Sequence, residues 1–483
     1  MSRVRSPQNH RSRPPLQWLG GRSPPQQWQG LAAAAGRVVA RASVTHQSQV
    51  MPSLLSAGTI LVAPQIAPDW LPLLRQVVGV VTEQGGMTSH SAILARELGI
   101  PAVVGVTEAT QDIESGDWLC LDGDRGEVRR LEADPQPDIP ADAGATAPPQ
   151  SQTLPHAFEE IVMVPNDAVD LVSTLPLIAT QLWVNLSQPE ALARALTMPV
   201  DGIGLLRSEF MLLEVLERQH PLVWLQQGRR EELIERMADC LTQFVSAFQP
   251  RPVWYRSLDF RAHELQSLVG APTAIGHPML GMRGTFSYQQ DVSWFDLELA
   301  AVQRVCQAGY QNLHLLLPFV RTVEEFIFCR QRLEQIGLTQ QRSLQLWIMA
   351  EVPSVLFLLP EYVRAGVQGI AIGTNDLIQL LLGVDRDHPQ LAAAFNERHP
   401  VVMQAIAHLI QQAQQLGIPC SICGHAPAQS PELIDALIAG GITAISVDVN
   451  AVASTYRAIA RAEQRLLLRA SQDQLSKSLL SRL

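Results

Sequence analysis

The chain has 483 residues, of which 47% are hydrophobic, and a formal net charge of −10. That length suits two or three domains with sizeable cores, and no apolar run approaches the ~18 residues that a bilayer span requires, so a soluble protein is expected. The negative charge argues against a nucleic-acid-binding surface, so an anionic substrate would need a local cluster of arginines. The six cysteines lack the spacing of a disulfide framework, which is typical of the reducing cytoplasm.

The first 28 residues are rich in Pro, Gln and Arg, and no acidic residue occurs before Asp69. Arg-rich, acid-poor segments of this kind occur in transit peptides. However, the proline pairs Pro14-Pro15 and Pro24-Pro25 disfavour the amphipathic helix that such a peptide needs. We therefore expect a disordered leader or linker remnant over residues 1–28.

Residues 29–131 contain short Val- and Ile-rich runs separated by turns, which predicts a compact α/β domain. The runs Thr59–Ala63 and Val77–Thr82 are predicted strands, and Leu121–Gly126 is a predicted turn. Residues 132–157 are rich in Pro, Ala, Asp and Gln, which predicts an extended linker. At about 3.1 Å per residue, such a linker reaches at most ~75 Å, enough for the domain to swing between two distant sites.

One turn of the predicted α/β domain is a candidate functional site. Gly85-Gly86 predicts the turn, Thr88 and Ser89 are good N-cap residues, and His90 opens an apolar, helix-forming run. The backbone N–H groups and the dipole at a helix N-terminus favour negative charge, so a histidine there is suited to carry a phosphoryl group. A histidine at a helix cap can also be purely structural, and the pattern alone leaves both roles open.

Residues 158–465 alternate short apolar runs with helical stretches, the pattern of repeated βα units, and residues 466–483 form a predicted tail. Eight such repeats over about 300 residues predict a (β/α)₈ barrel of the TIM type, in which active-site groups sit at the C-terminal ends of the strands. The predicted strands are Gln181–Leu186, Gly202–Leu206, Pro252–Ser257, Leu313–Pro318, Leu344–Ala350, Gly369–Gly373, Pro419–Ile422 and Ala444–Val447.

Polar side chains follow the predicted strands at the end where that rule expects them. They are Arg207, Glu209, Arg256, Glu351, Asn375, Asp376, Cys423, Asp448 and Asn450. Guanidinium groups of Arg207, Arg256, Arg283 and Arg386 match phosphate and carboxylate oxygens in pairs, and Glu351 and Asp376 offer the hard oxygen ligands that Mg²⁺ prefers. Cys423 is placed to act as an acid–base group, although it could also be a small core residue. We expect no redox pair with Cys420, because strand positions three apart face opposite sides.

Several motifs together are similar to those of the PEP-utilising enzymes: phosphoenolpyruvate synthase, pyruvate phosphate dikinase and enzyme I of the sugar phosphotransferase system. The resemblance covers about Gly30 to Ala460 and is greatest to the C-terminal two domains of phosphoenolpyruvate synthase. The motifs are residues 85–105, 184–186, 201–210, 220–221, 256–260, 278–284, 318–321, 351–354, 373–377 and 421–424. The resemblance implies an α/β fold: a swivelling phosphohistidine domain followed by the barrel.

The resemblance also implies roles for individual residues. The matching histidine, His90, would carry phosphate, and the matching cysteine, Cys423, would exchange a proton. Glu351 and Asp376 would bind Mg²⁺. The implied substrate-binding residues are Arg207, Arg256, Arg283, Asn375 and Arg386. A homodimer is expected, because barrels of this family are commonly dimers, and the cysteine pattern makes the cytoplasm its expected location.

This sequence departs from the family pattern at four positions: His277, His425, Arg261 and His263 replace Asn, Gln or Glu, Lys and Asn, respectively. These departures put the geometry of the substrate loops in doubt. A larger difference concerns ATP. Phosphoenolpyruvate synthase carries an ATP-grasp domain before the phosphohistidine domain, and 28 leader residues cannot encode one, nor does a P-loop motif occur. We therefore expect this chain alone not to phosphorylate His90 from ATP.

The resulting hypothesis is a half-reaction, in which phosphoenolpyruvate and His90 give pyruvate and phosphorylated His90, reversibly. A separate ATP-grasp subunit could supply the ATP-dependent half. One alternative is an enzyme I-like protein that passes phosphate to a partner protein. Another is a regulatory protein that binds phosphoenolpyruvate without turnover.

Overall fold

The computed structural model describes residues 27–46, 56–66, 70–87, 89–131, 176–217, 219–260, 280–385, 391, 394–424 and 426–480. The predicted linker, 132–157, lies outside these residues, as does most of the predicted leader. The first described strand begins at Gln27, inside the predicted leader, and the last helix continues through the predicted tail to Leu480.

The N-terminal part of the described chain forms one eight-stranded mixed sheet, with the order β1-β8-β7-β3-β4-β5-β6-β2. Strands β3 to β6 pair in parallel, whereas β1, β2, β7 and β8 pair antiparallel to their neighbours. The strands are β1 (Gln27–Gln29), β2 (Leu31–Ala34), β3 (Arg37–Val44), β4 (Ile60–Ala63), β5 (Gly79–Thr82), β6 (Ala102–Val104), β7 (Trp118–Asp122) and β8 (Glu127–Leu131). The two predicted strands are confirmed as β4 and β5, and the predicted turn joins β7 to β8.

The C-terminal part forms a closed barrel of eight parallel strands, which confirms the predicted fold class. Each predicted strand is present, with bounds that differ by two residues or fewer. The strands are β9 (Gln181–Leu186), β10 (Gly202–Arg207), β11 (Val253–Arg256), β12 (Leu313–Leu317), β13 (Leu346–Ala350), β14 (Ile370–Gly373), β15 (Cys420–Cys423) and β16 (Ala444–Asp448). Apart from polar residues at their ends, these strands are almost wholly buried, as parallel strands covered on both faces require.

Helices cover the sheet and the outside of the barrel. In the first domain they are α1 (Leu71–Leu74), α2 (His90–Leu98) and α3 (Ala109–Asp112). Around the barrel they are α4 (Leu192–Leu196), α5 (Ser208–Val215), α6 (Pro221–Gln226), α7 (Arg230–Phe248), α8 (Thr285–Gln290), α9 (Ser293–Gln307), α10 (Val323–Gln335), α11 (Val355–Ala365), α12 (Thr374–Leu382), α13 (Pro400–Gln415), α14 (Ala426–Gln429), α15 (Pro431–Ala439) and α16 (Val452–Leu480). None of the helices in the described part of the chain combines the length and apolar character needed to cross a bilayer.

The barrel interior is filled by one apolar cluster to which all eight strands contribute. Three tryptophans dominate it, and the ring centroids of Trp254 and Trp347 lie 3.8 Å apart. Glycines make room for these rings: a Cβ at Gly369 would lie 2.3 Å from Trp347, and one at Gly204 would lie 2.8 Å from Trp183. The interior is therefore a packed core, and chemistry is confined to the rim.

Candidate active site

Helix α2 begins at His90, as the turn and cap residues predict. Ser89 is its N-cap, and the Ser89 Oγ accepts a hydrogen bond from the Ala92 N–H at 3.4 Å. Gly85 has a φ of 110°, a conformation that favours glycine, and Gly99 ends the helix in the left-handed region. Thr88 and the side chain of His90 lie outside the described part of the structure.

The predicted polar residues of the barrel lie together at the C-terminal ends of the strands. Arg207, Arg256 and Cys423 are the last residues of β10, β11 and β15. Glu351 follows β13 directly, and Asn375 and Asp376 lie in the first turn of the helix that follows β14. The predicted substrate residue Arg386 lies outside the described residues, as do Arg261, His263, His277 and His425.

Three buried carboxylates form a cluster on this rim. Oxygen atoms of Asp259, Glu351 and Asp376 all lie within 4.8 Å of one another. Glu351 and Asp376 were predicted metal ligands, whereas Asp259 was missed, although it stands in the motif that begins at Arg256. Because Mg²⁺ is held by one or two carboxylates together with substrate oxygens, this donor set fits Mg²⁺.

Arg283 is the cation that faces two of these carboxylates. Its Nε donates to Asp259 Oδ1 at 3.0 Å, and its Nη1 and Nη2 donate to Asp376 at 3.3 and 3.2 Å. The guanidinium is almost fully buried, which disfavours its charge, but Asp259 and Asp376 together hold its pKa well above the usual value. Burial, followed by the charges of Asp376 and Asp259, raises the pKa of Glu351 to about 8. A carboxyl group whose pKa is raised by burial and by neighbouring carboxylates holds a proton that a metal cation can replace, so the cluster favours a bound cation.

Arg256 and Asn375 each present a buried polar atom that no described residue pairs with. Arg256 Nη2 donates to Glu209 Oε1 at 2.9 Å, and the same oxygen accepts from the backbone N–H of Asp259. Among the described residues, however, the buried Nε of Arg256 and the buried Oδ1 of Asn375 have no hydrogen-bond partner. Buried polar groups in folded proteins are normally paired, so these atoms favour a polar ligand on the rim.

Phe319 contacts both a carboxylate and an arginine of the site, Glu351 and Arg283. It adopts a φ of 47°, which is unusual for a residue other than glycine, and its N–H donates to Glu351 Oε1 at 2.7 Å. Its ring lies under the guanidinium of Arg283 at 4.0 Å and near that of Arg321 at 4.7 Å. The strained backbone thus holds both a carboxylate and an arginine in place.

Cys423 lies at the top of the barrel core. Its Sγ is 3.6 Å from Met349 Sδ and 3.5 Å from the carbonyl oxygen of Ile372. Burial, reinforced by the charge of Glu351, raises the pKa of this thiol to about 12, so it stays protonated at neutral pH. Cys420 belongs to the separate apolar cluster outside the barrel interior.

The C-terminal turn of helix α2 lies against the barrel rim. Arg96 Nε donates to Asp448 Oδ2 at 2.9 Å, and its Nη1 donates to the carbonyl oxygens of Met87 and Ala33. One buried guanidinium therefore joins the turn before His90 to the end of β16. These contacts were not predicted, because Arg96 and Asp448 are 352 residues apart in the chain.

Glu97 makes the second contact across this boundary. Its Oε2 accepts a hydrogen bond from Ser187 Oγ, and its Oε1 accepts one from Arg207 Nη1 at 3.3 Å. Burial, partly offset by Arg207 and Ser187, raises the pKa of Glu97 to about 7. Glu97 lies within the motif of residues 85–105, but the sequence pattern predicts no role for it.

Two segments of the chain match the models of known protein families. Residues 167–464 match the family described as “PEP-utilising enzyme, PEP-binding domain”, and residues 55–126 match “PEP-utilising enzyme, mobile domain”.

Among similar proteins is the phosphoenolpyruvate synthase of Aeropyrum pernix, which is 36% identical over 451 residues. The match covers 91% of this chain and 52% of that protein. The phosphoenolpyruvate synthase of Pyrococcus furiosus is 33% identical over 440 residues, which cover 90% of this chain and 51% of that protein. The chain thus spans about half the length of the curated relatives it matches.

Similarity to solved structures is weak. A malate synthase of Haloferax volcanii in a pyruvate and acetyl-CoA complex is 10% identical, with a TM-score of 0.36 over 58% of this chain and 68% of that one. A likeness at this level carries no argument about function.

Proposed function

Because this chain belongs to the family of PEP-utilising enzymes, we propose that it transfers a phosphoryl group reversibly between phosphoenolpyruvate and His90, with pyruvate as the other product. The observation that carries this proposal is the convergence on one barrel rim of three arginines and three carboxylates. Helix α2, which begins at His90, is docked beside them.

The arginines account for substrate binding. Phosphoenolpyruvate carries a phosphate and a carboxylate, and each matches the fork of a guanidinium group. Arg207, Arg256 and Arg283 supply positive charge on the rim. The nitrogens of Arg283 already donate to Asp259 and Asp376, whereas the Nε of Arg256 is a buried donor with no partner among the described residues. Asn375 offers an amide to the same ligand. We assign Arg386 to the substrate as well, on the resemblance of the surrounding sequence.

The carboxylate cluster accounts for the metal. Asp259, Glu351 and Asp376 would hold Mg²⁺. When bound, the ion supplies positive charge that stabilises the enolate oxygen. Arg283, which lies between Asp259 and Asp376, keeps two of the carboxylates oriented towards one another.

Phosphoryl transfer and protonation follow in two steps. An imidazole nitrogen of His90 forms a bond to phosphorus while the bond from phosphorus to the enol oxygen breaks, and the electron pair of that bond leaves with the enolate. Cys423 then gives its thiol proton to the methylene carbon, which completes the methyl group of pyruvate. The buried thiol is protonated at neutral pH, as a proton donor must be, and it regains its proton from solvent. The reverse steps make phosphoenolpyruvate from pyruvate.

Isotope exchange tests this half-reaction without ATP. Purified protein with Mg²⁺, phosphoenolpyruvate and ¹⁴C-labelled pyruvate should move label into phosphoenolpyruvate, because transfer to and from His90 interconverts the two. Cys423→Ala should slow exchange by about 10²- to 10⁴-fold, the usual contribution of an acid–base group. Cys420→Ala is the matched control, since Cys420 lies on the same strand but outside the interior cluster, and should exchange normally. Equal loss in both variants would contradict the role of Cys423, and no exchange by the wild type would contradict the half-reaction.

A further inference from the structure

Arg207 is the point where the two domains and the substrate site meet. It ends strand β10 on the barrel rim, and its Nη1 donates to Glu97 Oε1 at 3.3 Å. Its Nη2 lies 3.9 Å from Asp448 Oδ1. Both carboxylates also bind groups other than Arg207: Asp448 accepts from Arg96 and Asn185, and Glu97 accepts from Ser187.

Glu97 therefore places a buried carboxylate against Arg207, an arginine that the substrate anion also binds in the proposed function. Only 7% of the Glu97 surface and 8% of the Arg207 surface is exposed, so water screens the pair little. A carboxylate that neutralises Arg207 weakens the attraction of that arginine for a second anion. Conversely, an anion bound to Arg207 weakens the contact with Glu97.

We propose that Glu97 and the phosphoenolpyruvate anion compete for Arg207, so that substrate binding loosens the docking of helix α2 on the barrel. This inference rests on the proposed function. The coupling is reciprocal: docking of helix α2 lowers the affinity for phosphoenolpyruvate by the same factor by which bound phosphoenolpyruvate weakens docking. Arg96 pairs with the other oxygen of Asp448, Oδ2, at 2.9 Å, so this shorter contact keeps the helix attached while the Glu97 contact opens. Glu97 is a positioning residue: it acts on the substrate through Arg207 and on His90 through the helix they share.

Substrate affinity tests the competition directly. Phosphoenolpyruvate binding with Mg²⁺ is measured by calorimetry on the full chain, in a His90→Ala background that prevents transfer. The measurement is made at pH 8, where Glu97 is mainly ionised, facing Arg207, Asp448 and Arg96. Glu97→Gln, which keeps the shape but not the charge, should bind about tenfold tighter. Glu114→Gln, on an exposed carboxylate of the same domain, should not change the affinity.

The outcomes separate the two proposals. Equal affinities with and without Glu97→Gln would overturn the competition but leave the proposed function intact. Weaker binding by Glu97→Gln would also overturn it, because it would mean that Glu97 assists the substrate. No binding by either protein would overturn the proposed function and this inference with it.

Hydrogen exchange supplies a second test that does not depend on Glu97→Gln folding normally. Backbone amides of helix α2 in the His90→Ala protein should exchange several-fold faster when phosphoenolpyruvate and Mg²⁺ are added, because the Glu97 contact is lost. Strand β7, which is buried in the sheet of the same domain, is the internal control and should not change. Unchanged or slower exchange in helix α2 would contradict the inference.

Discussion

One buried acidic residue behind the rim, Glu298, supports the backbone of the proposed site. The carboxylate of Glu298, on helix α9, accepts hydrogen bonds from Tyr255 OH at 2.6 Å and from the Leu258 N–H at 3.0 Å. It thereby fixes the backbone between Arg256 and Asp259, two residues of the proposed site. Glu298 is fully buried, and burial raises its pKa to about 8.

This raised pKa predicts a pH dependence of stability. Between the ordinary glutamate pKa and about 8, the folded protein holds a proton on Glu298 that the unfolded chain has released, so stability falls as pH rises through that window. Glu298→Gln cannot titrate and should lose this part of the slope. Relative to the wild type, the melting temperature of the variant should therefore rise steadily from pH 5 to pH 9, by a few degrees in total.

The control for this measurement is Glu235→Gln, which changes an exposed glutamate on helix α7. Its plot of melting temperature against pH should stay parallel to that of the wild type. If the plot for Glu298→Gln is also parallel to that of the wild type, the raised pKa of Glu298 is contradicted.

Sequence patterns predicted the rim residues that end strands or follow them directly, and missed Asp259 and Glu97. Arg207, Arg256 and Cys423 end strands, so the strand pattern and the barrel rule locate them. Asp259 and Glu97 carry no such positional signal. Their roles depend on contacts with residues distant in the chain, which sequence spacing does not encode.

At the scale of elements, the loop from β12 to α10 and the loop before α8 are fitted to each other. Gly284 has φ 59° and ψ −150°, a region open essentially to glycine alone. A Cβ there would lie 2.6 Å from the Cβ of Phe319 and 2.9 Å from the carbonyl oxygen of Pro318. The loop that carries Arg283 can therefore approach Phe319 only because residue 284 is glycine.

Two glycine substitutions separate this crowding from ordinary backbone strain. Gly337 also has a positive φ, 78°, but no atom lies within 4 Å of a Cβ built there. Gly337→Ala should cost about 1 kcal/mol of stability, with substrate affinity unchanged. Gly284→Ala should cost about 3 kcal/mol or more and weaken phosphoenolpyruvate binding, because Arg283 and Phe319 must move apart. Chemical denaturation and calorimetry measure the two effects, and equal costs at both positions would contradict the fitted-loop interpretation.

Element types were predictable because the barrel strands repeat a strong pattern of short, buried runs. The bounds shifted by one or two residues where a run such as Leu344–Ala350 begins before strand pairing does. The positive φ of Phe319 has no such pattern, since it depends on packing against Arg283 and Gly284.

At the scale of the whole molecule, the two domains share one docked arrangement. An apolar cluster extends from the N-terminal sheet and helix α2 to the barrel, and the Arg96–Asp448 and Glu97–Arg207 pairs lie between the same parts. The sequence predicted a mobile domain and a barrel but not how they meet. Every contact of this boundary joins residues that are far apart in the chain.

The proposed function depends on the transfer of phosphate from phosphoenolpyruvate to His90. The most direct measurement incubates the full chain with Mg²⁺ and ³²P-labelled phosphoenolpyruvate, beside a His90→Ala variant, and compares acid-labile protein label with released pyruvate. Transfer to His90 predicts up to one phosphate per wild-type chain, an equal amount of pyruvate, and no label on His90→Ala. Label that persists in His90→Ala, or phosphoenolpyruvate that binds to the wild type without labelling it, would contradict the account.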